Sequence, residues 1–228
     1  MRFLSVLFIG LTIASSALAE APVPTITVVG TGEVAGEPDM ATIILGVTNA
    51  GKTAAEAMDQ TSASTADILE ALRNAGIAPR DLQTRDLSLN PNWNNRSSTP
   101  GAPTIDGFIA SNTVMVRVRD LDSLGGVLDQ VLNLGANTFR GLSFGLQDPK
   151  PAQDEARRAA VGDAMAKATL YAQAAGLNLG QVISISEAGG NVPMPLMMES
   201  ARMSADMPVA AGEVSLSSSV TMVFAIAQ

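Results

Sequence analysis

The chain has 228 residues, with 14 basic against 22 acidic side chains, a formal net charge of −8, and neither histidine nor cysteine. Without those two residue types there is no Ser-His-Asp or Cys-His nucleophilic centre and no His/Cys zinc site. The acidic balance, with only Arg157 and Arg158 adjacent, also argues against a nucleic-acid partner and an anionic lipid surface.

The first element is read as a secretory signal peptide over residues 1–19. Arg2 supplies a short positive region, Phe3 to Ala14 are almost wholly apolar, and Ala17-Leu18-Ala19 fits a small-x-small cleavage site. The run is shorter than the ~20 apolar residues a membrane-spanning helix needs. Cleavage after Ala19 leaves residues 20–228, with 13 basic against 22 acidic side chains. An export signal on a chain without cysteine points to a bacterial periplasm or envelope. No later apolar stretch reaches spanning length, so no transmembrane segment is expected in the mature chain.

Thr25 to Val29 and Met40 to Thr48 read as strands. A helix follows, opened by Thr53 with Glu56 three residues on, and stopped at Gly76. Leu82 to Leu89 read as a strand, and 91–106 as a long loop rich in Pro, Asn and Ser. Phe108 to Arg119 alternate as a half-buried strand. Asp120 then caps a helix whose apolar face is Leu121, Leu124, Val127, Leu128, Val131 and Leu132, ending at Gly135. Thr138 to Gln147 read as a strand. Asp148-Pro149 open an alanine-faced helix that stops at Gly176. Val182 to Ser186 form a short strand, 189–212 a second long loop, and Glu213 to Ala227 a long last strand with one apolar and one hydroxylic face. The expected fold is α+β in the order β-β-α-β-β-α-β-α-β-β. It is a single domain over 20–228, with helices on a mostly antiparallel or mixed sheet.

Gly30-Thr31-Gly32-Glu33-Val34-Ala35-Gly36 follows a strand and resembles a phosphate-binding loop. The glycine spacing is one residue too long for a dinucleotide fingerprint, and a strand follows instead of a helix. Glu33, Glu37 and Asp39 would repel phosphate, and no Gly-Lys-Ser/Thr sequence is present. The stretch is expected to be a tight or bulged connection between the first two strands.

At these residues a family becomes recognisable. ITVVGTGEVAGEPDMATIILGV, residues 26–47, resembles the N-terminal signature of the SIMPL-domain family. ARRAAVGDAMAKATLYAQAAGLNLGQVISISEAG, residues 156–189, resembles its alanine-rich helix, Gly-Leu-x-Leu-Gly turn and following strand. The likeness covers essentially the whole mature chain and rests on scaffold residues. It implies a periplasmic or outer-membrane-associated envelope location, homo-oligomerisation, and a loose link to stress tolerance and antigenicity. It carries over no catalytic residue. A repeated head-to-tail contact closes into a ring when its rotation permits, so a ring or hollow barrel is one form such an assembly takes.

The remaining chemistry is weighed residue by residue. Met194, Met197, Met198, Met203 and Met207 crowd the second long loop. Thioethers suit Cu(I), are adaptable contact groups, and take up oxidant. Asp120/Asp122 and Asp154-Glu155 sit where negative charge complements a helix dipole. Glu33, Glu37 and Asp39 lack the ligand spacing of a calcium loop. Arg117, Arg119 and Arg140 are either a solvated face or partners for acids across a subunit contact. Trp93, the only tryptophan, either anchors a contact or folds back. No residue is assigned as catalytic, cofactor-binding or metal-binding, and no cofactor is expected. The function expected is a non-enzymatic, homo-oligomeric scaffold or interaction protein of the envelope. The alternative is a binding module for a soft metal or an envelope ligand through the methionine-rich loop.

Overall fold

The structure, a computed structural model, describes residues 24–94, 104–187, 194–196 and 209–227. Its elements in chain order are β1 (Thr25–Gly36), β2 (Met40–Gly51), α1 (Ala54–Asn74), β3 (Leu82–Asn94), β4 (Thr104–Val118), α2 (Leu124–Asn133), β5 (Thr138–Gly145), α3 (Lys150–Ala174), β6 (Asn178–Glu187), β7 (Met194–Leu196) and β8 (Glu213–Ala227). The α+β order is the expected one, with the three-residue β7 added inside the second long loop.

Among the described residues all strand pairs are antiparallel, and they divide between two sheets. One has the order β3-β4-β2-β5; the other has β1-β8-β6, with β7 also on β8. The chain leaves the second sheet after β1, builds the whole first sheet, and returns through α3. Residues 40–145 are thus an insertion between β1 and α3.

Each sheet covers one face with helix. In the inserted sheet, Ile43, Leu45 and Val47 of β2 and Val114, Val116 and Val118 of β4 meet Ile68 and Leu72 of α1 and Leu124, Val127, Leu128 and Val131 of α2. This is the larger core. The other joins Val28, Val220, Met222 and Phe224 to Ala160, Ala164 and Ala168 of α3. Alternation along β8 puts Leu216, Val220, Met222 and Phe224 inside, while Ser217, Ser219 and Thr221 are half-buried on the other face.

The helix ends follow their sequence signals. The Thr53 hydroxyl accepts from the Glu56 N–H at 3.2 Å. The Glu56 carboxylate reaches back to the Lys52 N–H at 2.9 Å, one residue before the position a capping box uses. Thr53→Ala is expected to lower stability by about 0.5–2 kcal/mol. An unchanged midpoint in urea unfolding would show that the cap contributes nothing. Asp120 caps a 3-10 turn, Leu121–Ser123, that leads into α2. The Asp148 carboxylate accepts from the Lys150 N–H at 3.1 Å as α3 begins.

Strand ends depart from the expectation. β1 does not stop at Val29; it continues as regular ladder through Gly30, Gly32 and Gly36, each paired with β8. The glycine stretch is therefore strand, and the connection to β2 is residues 37–39. β3 and β4 likewise extend into the expected loop 91–106, with Pro91 paired to Phe108 and Trp93 to Ile105. Pro91 is compatible with a ladder because β3 is an edge strand, where one side needs no N–H donor.

Candidate functional site

The glycine stretch offers no anion site. Gly30 and Gly32 are buried on the face of β1 that meets α3. A Cβ built on Gly30 would lie 2.6 Å from the Ala164 backbone nitrogen and closer still to the Ala160 carbonyl oxygen. Gly32 meets the backbone of Ala156 and Ala160 in the same way. These glycines and the facing alanines let helix and strand backbones touch, so no space for a ligand lies between them.

The acids flagged in sequence are dispersed. Glu33 accepts from the Ser215 hydroxyl. Asp154 sits between Lys150 and Arg157, whose hydrogen bonds hold its carboxyl below the usual carboxylate range. Arg157 also bonds Glu187 of β6 at 2.8 Å, tying the helix to that strand and lowering the Glu187 pKa. Among the described residues no group of three or more His, Cys, Asp or Glu side chains is placed to hold a metal ion. Met197, Met198, Met203 and Met207 lie outside the described residues.

The three arginines separate. Arg117 and Arg140 are exposed, and Arg140 is the extra residue at a register shift between β5 and β2. Arg119 instead forms a bidentate pair with Asp81, its Nε 2.8 Å from Oδ2 and its Nη2 2.7 Å from Oδ1. Asp81 is only 4% exposed. Its hydrogen bond to Arg119 holds its carboxyl below 3.8, against the opposing effect of burial. Asp81 gave no sequence signal, because its partner lies 38 residues away.

From this pair a polar network reaches the two connections between the sheets. Arg119 Nη1 donates to Gln147 Oε1 at 3.2 Å, and Gln147 Nε2 donates to the Arg119 carbonyl at 3.3 Å and to the Asp39 carbonyl at 2.9 Å. The Gln147 N–H donates to the Asp39 carboxylate at 2.7 Å, and the Asp39 N–H to the Gly145 carbonyl at 3.1 Å. Asp39 stands between β1 and β2, and Gln147 between β5 and α3. The two crossings are therefore fastened to one another. Val209, just before β8, packs on the core of the inserted sheet as a further tie.

Among the described residues the surface also carries large apolar side chains. Helix α3 covers β1 and β8 more fully than β6, and Val182, Ile183 and Ile185 of β6 stay exposed. On the inserted sheet, Leu87 and Leu89 of β3 are exposed, with Trp93 and Ile105 half-exposed as a cross-strand pair. Trp93 thus lies on the arm of a hairpin and does not fold back. Between α2 and β5 a cavity of about 310 Å³ is lined by Leu45, Leu128, Val131, Leu132, Ala136 and Phe139. Its polar neighbour Asn137 is committed, accepting from the Thr48 N–H and donating to the Thr48 carbonyl, both at 2.8 Å.

Residues 26–224 match the SIMPL family, described as a protein of unknown function (DUF541). The chain is 38% identical over 210 residues to the 26 kDa periplasmic immunogenic protein of Brucella melitensis, covering 88% of this chain and 84% of that one. It is 34% identical over 173 residues to the YggE protein of Edwardsiella ictaluri, covering 75% and 72%. To YggE of Escherichia coli K12 it is 33% identical over 179 residues, covering 77% and 72%.

Proposed function

The chain belongs to the SIMPL family, and from that premise we propose that it is a periplasmic, non-enzymatic interaction protein that works as a homo-oligomer. The observation that carries this reading is the amount of large apolar side chain left uncovered. Val182, Ile183 and Ile185 on β6, Leu87, Leu89, Trp93 and Ile105 on the hairpin arm, and Leu132 and Phe139 at the cavity mouth form separate patches. Exposed apolar patches rimmed by polar residues mark contact surfaces. Patches at several places on one chain suit a contact in which different surfaces of two copies meet, which closes into a ring or barrel when the rotation permits.

Two further points support the reading. With no His and no Cys, Ser-His-Asp and Cys-His nucleophilic constellations have no residues to build them, which leaves carboxylates, Lys, Tyr171 and hydroxyls as reactive groups. A relative's name places that protein in the periplasm, which agrees with a signal peptide over residues 1–19. We also propose that residues 20–228 act as one unit, the two sheets held together by the Asp39–Gln147 fastening. Light scattering on residues 20–228 at micromolar concentration is expected to give a mass several times that of one chain. A clean monomer would overturn the oligomeric reading.

A further inference from the structure

Among the described residues, four strands besides the three-residue β7 lie at sheet edges: β3 and β5 in the inserted sheet, β1 and β6 in the other. An open edge presents unpaired N–H and C=O groups to which another chain can add. Three of the four are irregular. β3 has register shifts at Thr84/Asp86 and Asn92/Trp93 and carries Pro91. β5 is short and shifted at Arg140. β6 shifts at Leu179/Val182 and again at Val182/Ser184. Such bulges twist an edge and spoil it as a template. β1 pairs with β8 over all 12 residues with no shift, and its sequence TITVV is rich in strand formers.

The free side of β1 is identifiable. The Pro24 carbonyl accepts from the Ile226 N–H of β8, so even-numbered residues turn their polar backbone toward β8 and odd-numbered ones turn it outward. At the middle of that outward row, α3 supplies substitutes for a neighbouring strand. Asp163 Oδ2 accepts from the Thr31 N–H at 2.8 Å and lies 3.5 Å from the Thr31 hydroxyl. Lys167 Nζ donates to the Val29 carbonyl at 3.0 Å. The two side chains, one helical turn apart, pair at 2.6 Å. One carboxylate and one ammonium thus occupy a donor and an acceptor at the middle of the row that an incoming strand would use.

We propose that the Asp163–Lys167 pair guards the outer edge of β1 against addition of β1 from a second copy of the chain. Two β1 strands paired antiparallel about Gly30 would set Val29 of each against Thr31 of the other. Two of the four bonds between those residues, from the Thr31 N–H of each copy to the Val29 carbonyl of the other, use the groups that the guard already fills. The close packing of Gly30 and Gly32 on α3 fixes the helix near the strand and keeps the guard in register. On the reading that the apolar patches make the contacts of the assembly, the guard keeps those contacts apart from a two-fold pairing of β1 edges.

The test uses a fluorescent peptide of the β1 sequence TITVVGTGEVAG, titrated into residues 20–228. The Asp163→Ser/Lys167→Ala variant is expected to bind it at least tenfold more tightly than the parent. Methylating the peptide nitrogens of Val29 and Thr31 should abolish that binding, because those N–H groups face the guarded edge. Methylating Val28, whose N–H faces the other way, should leave it. Equal binding by parent and variant, no binding by the variant, or binding indifferent to the odd-numbered methyl groups would each overturn the proposal. Should circular dichroism show the double variant unfolded, Lys167→Met decides. It frees only the Val29 carbonyl and is expected to tighten binding about threefold; no change overturns the guard. The readout is peptide binding, so it stands apart from the oligomer mass.

Discussion

Replacing Gly30 with valine is expected to unfold the sheet that contains β1, lowering stability by at least about 3 kcal/mol, at or above the upper end of core overpacking costs. The reason is what the new side chain meets. Its Cβ would stand 2.6 Å from the Ala164 nitrogen, 2.7 Å from the Ala164 Cβ, and nearer still to the Ala160 carbonyl oxygen. Two of these three are helix backbone, which has no alternative rotamer. Trimming Ala164 to glycine would therefore not rescue the variant. Relief requires α3 to lift away, and a 25-residue helix moves as a rod. Lifting it uncovers Ala156, Ala160, Ala164, Ala168 and Ala172, all essentially fully buried. Gly162→Ala on the same helix is the control. Nothing lies within 4 Å of a Cβ there, and an exposed helical Gly→Ala should stabilise by roughly 0.5–1 kcal/mol. Urea unfolding compares the two, and a Gly30→Val midpoint equal to the parent's would refute the close-packing account.

That contact also shows where sequence reading stops. Gly30 and Gly32 announce a special backbone, and the strand that follows them removes the helix N-terminus a phosphate loop needs. What they are special for depends on a helix 130 residues later. Local signals fared better. Thr53 caps α1, and Gly76, Gly135 and Gly176 end α1, α2 and α3 with positive φ, since each is set by residues within one turn. Alternation placed the strands but not their ends. Pro91 and Asn92 read as loop, yet an edge strand tolerates them because one side of its backbone is free. The division of the strands into two sheets was not legible either, because strand partners are chosen by burial across the fold.

For the functional surfaces the limit was sharper. Asp163 and Lys167 look in sequence like one more i,i+4 surface pair. Only the position of β1 beneath them gives the pair an unpaired N–H and C=O to cover. Trp93 was visible as an outlier in composition, but its cross-strand partner Ile105 and the exposed arm they share depend on the pairing of β3 with β4.

Arg119→Met is expected to weaken the protein more than Asp81→Asn, with a fall in Tm of roughly 5–10 °C for the first. Both substitutions break the same bidentate pair, but they leave different remainders. Without Arg119, the Asp81 carboxyl is left almost wholly buried, its side chain 3% exposed, and the cost of removing its charge from water is offset only by the looser pair with Arg80 at 3.9 Å. With asparagine at position 81, the remaining Arg119 side chain is 37% exposed and can be hydrated. The loss of Arg119 also removes a donor to Gln147, and through it loosens the fastening of Gln147 to Asp39. The pair further predicts the direction of the acid response. The folded pKa of Asp81 is depressed, so its contribution is present in full above the unfolded value of about 3.9 and is lost as pH falls through the folded one. Parent stability should therefore drop below about pH 4 partly through this group. Asp81→Asn, which has no proton to take up there, should start lower and lose less over the same interval. Thermal unfolding of the two proteins between pH 7 and pH 3 measures the difference. Parallel Tm curves would show that Asp81 is not held ionised by Arg119. An Arg119→Met variant as stable as Asp81→Asn would show that its carboxylate reaches water in the folded chain.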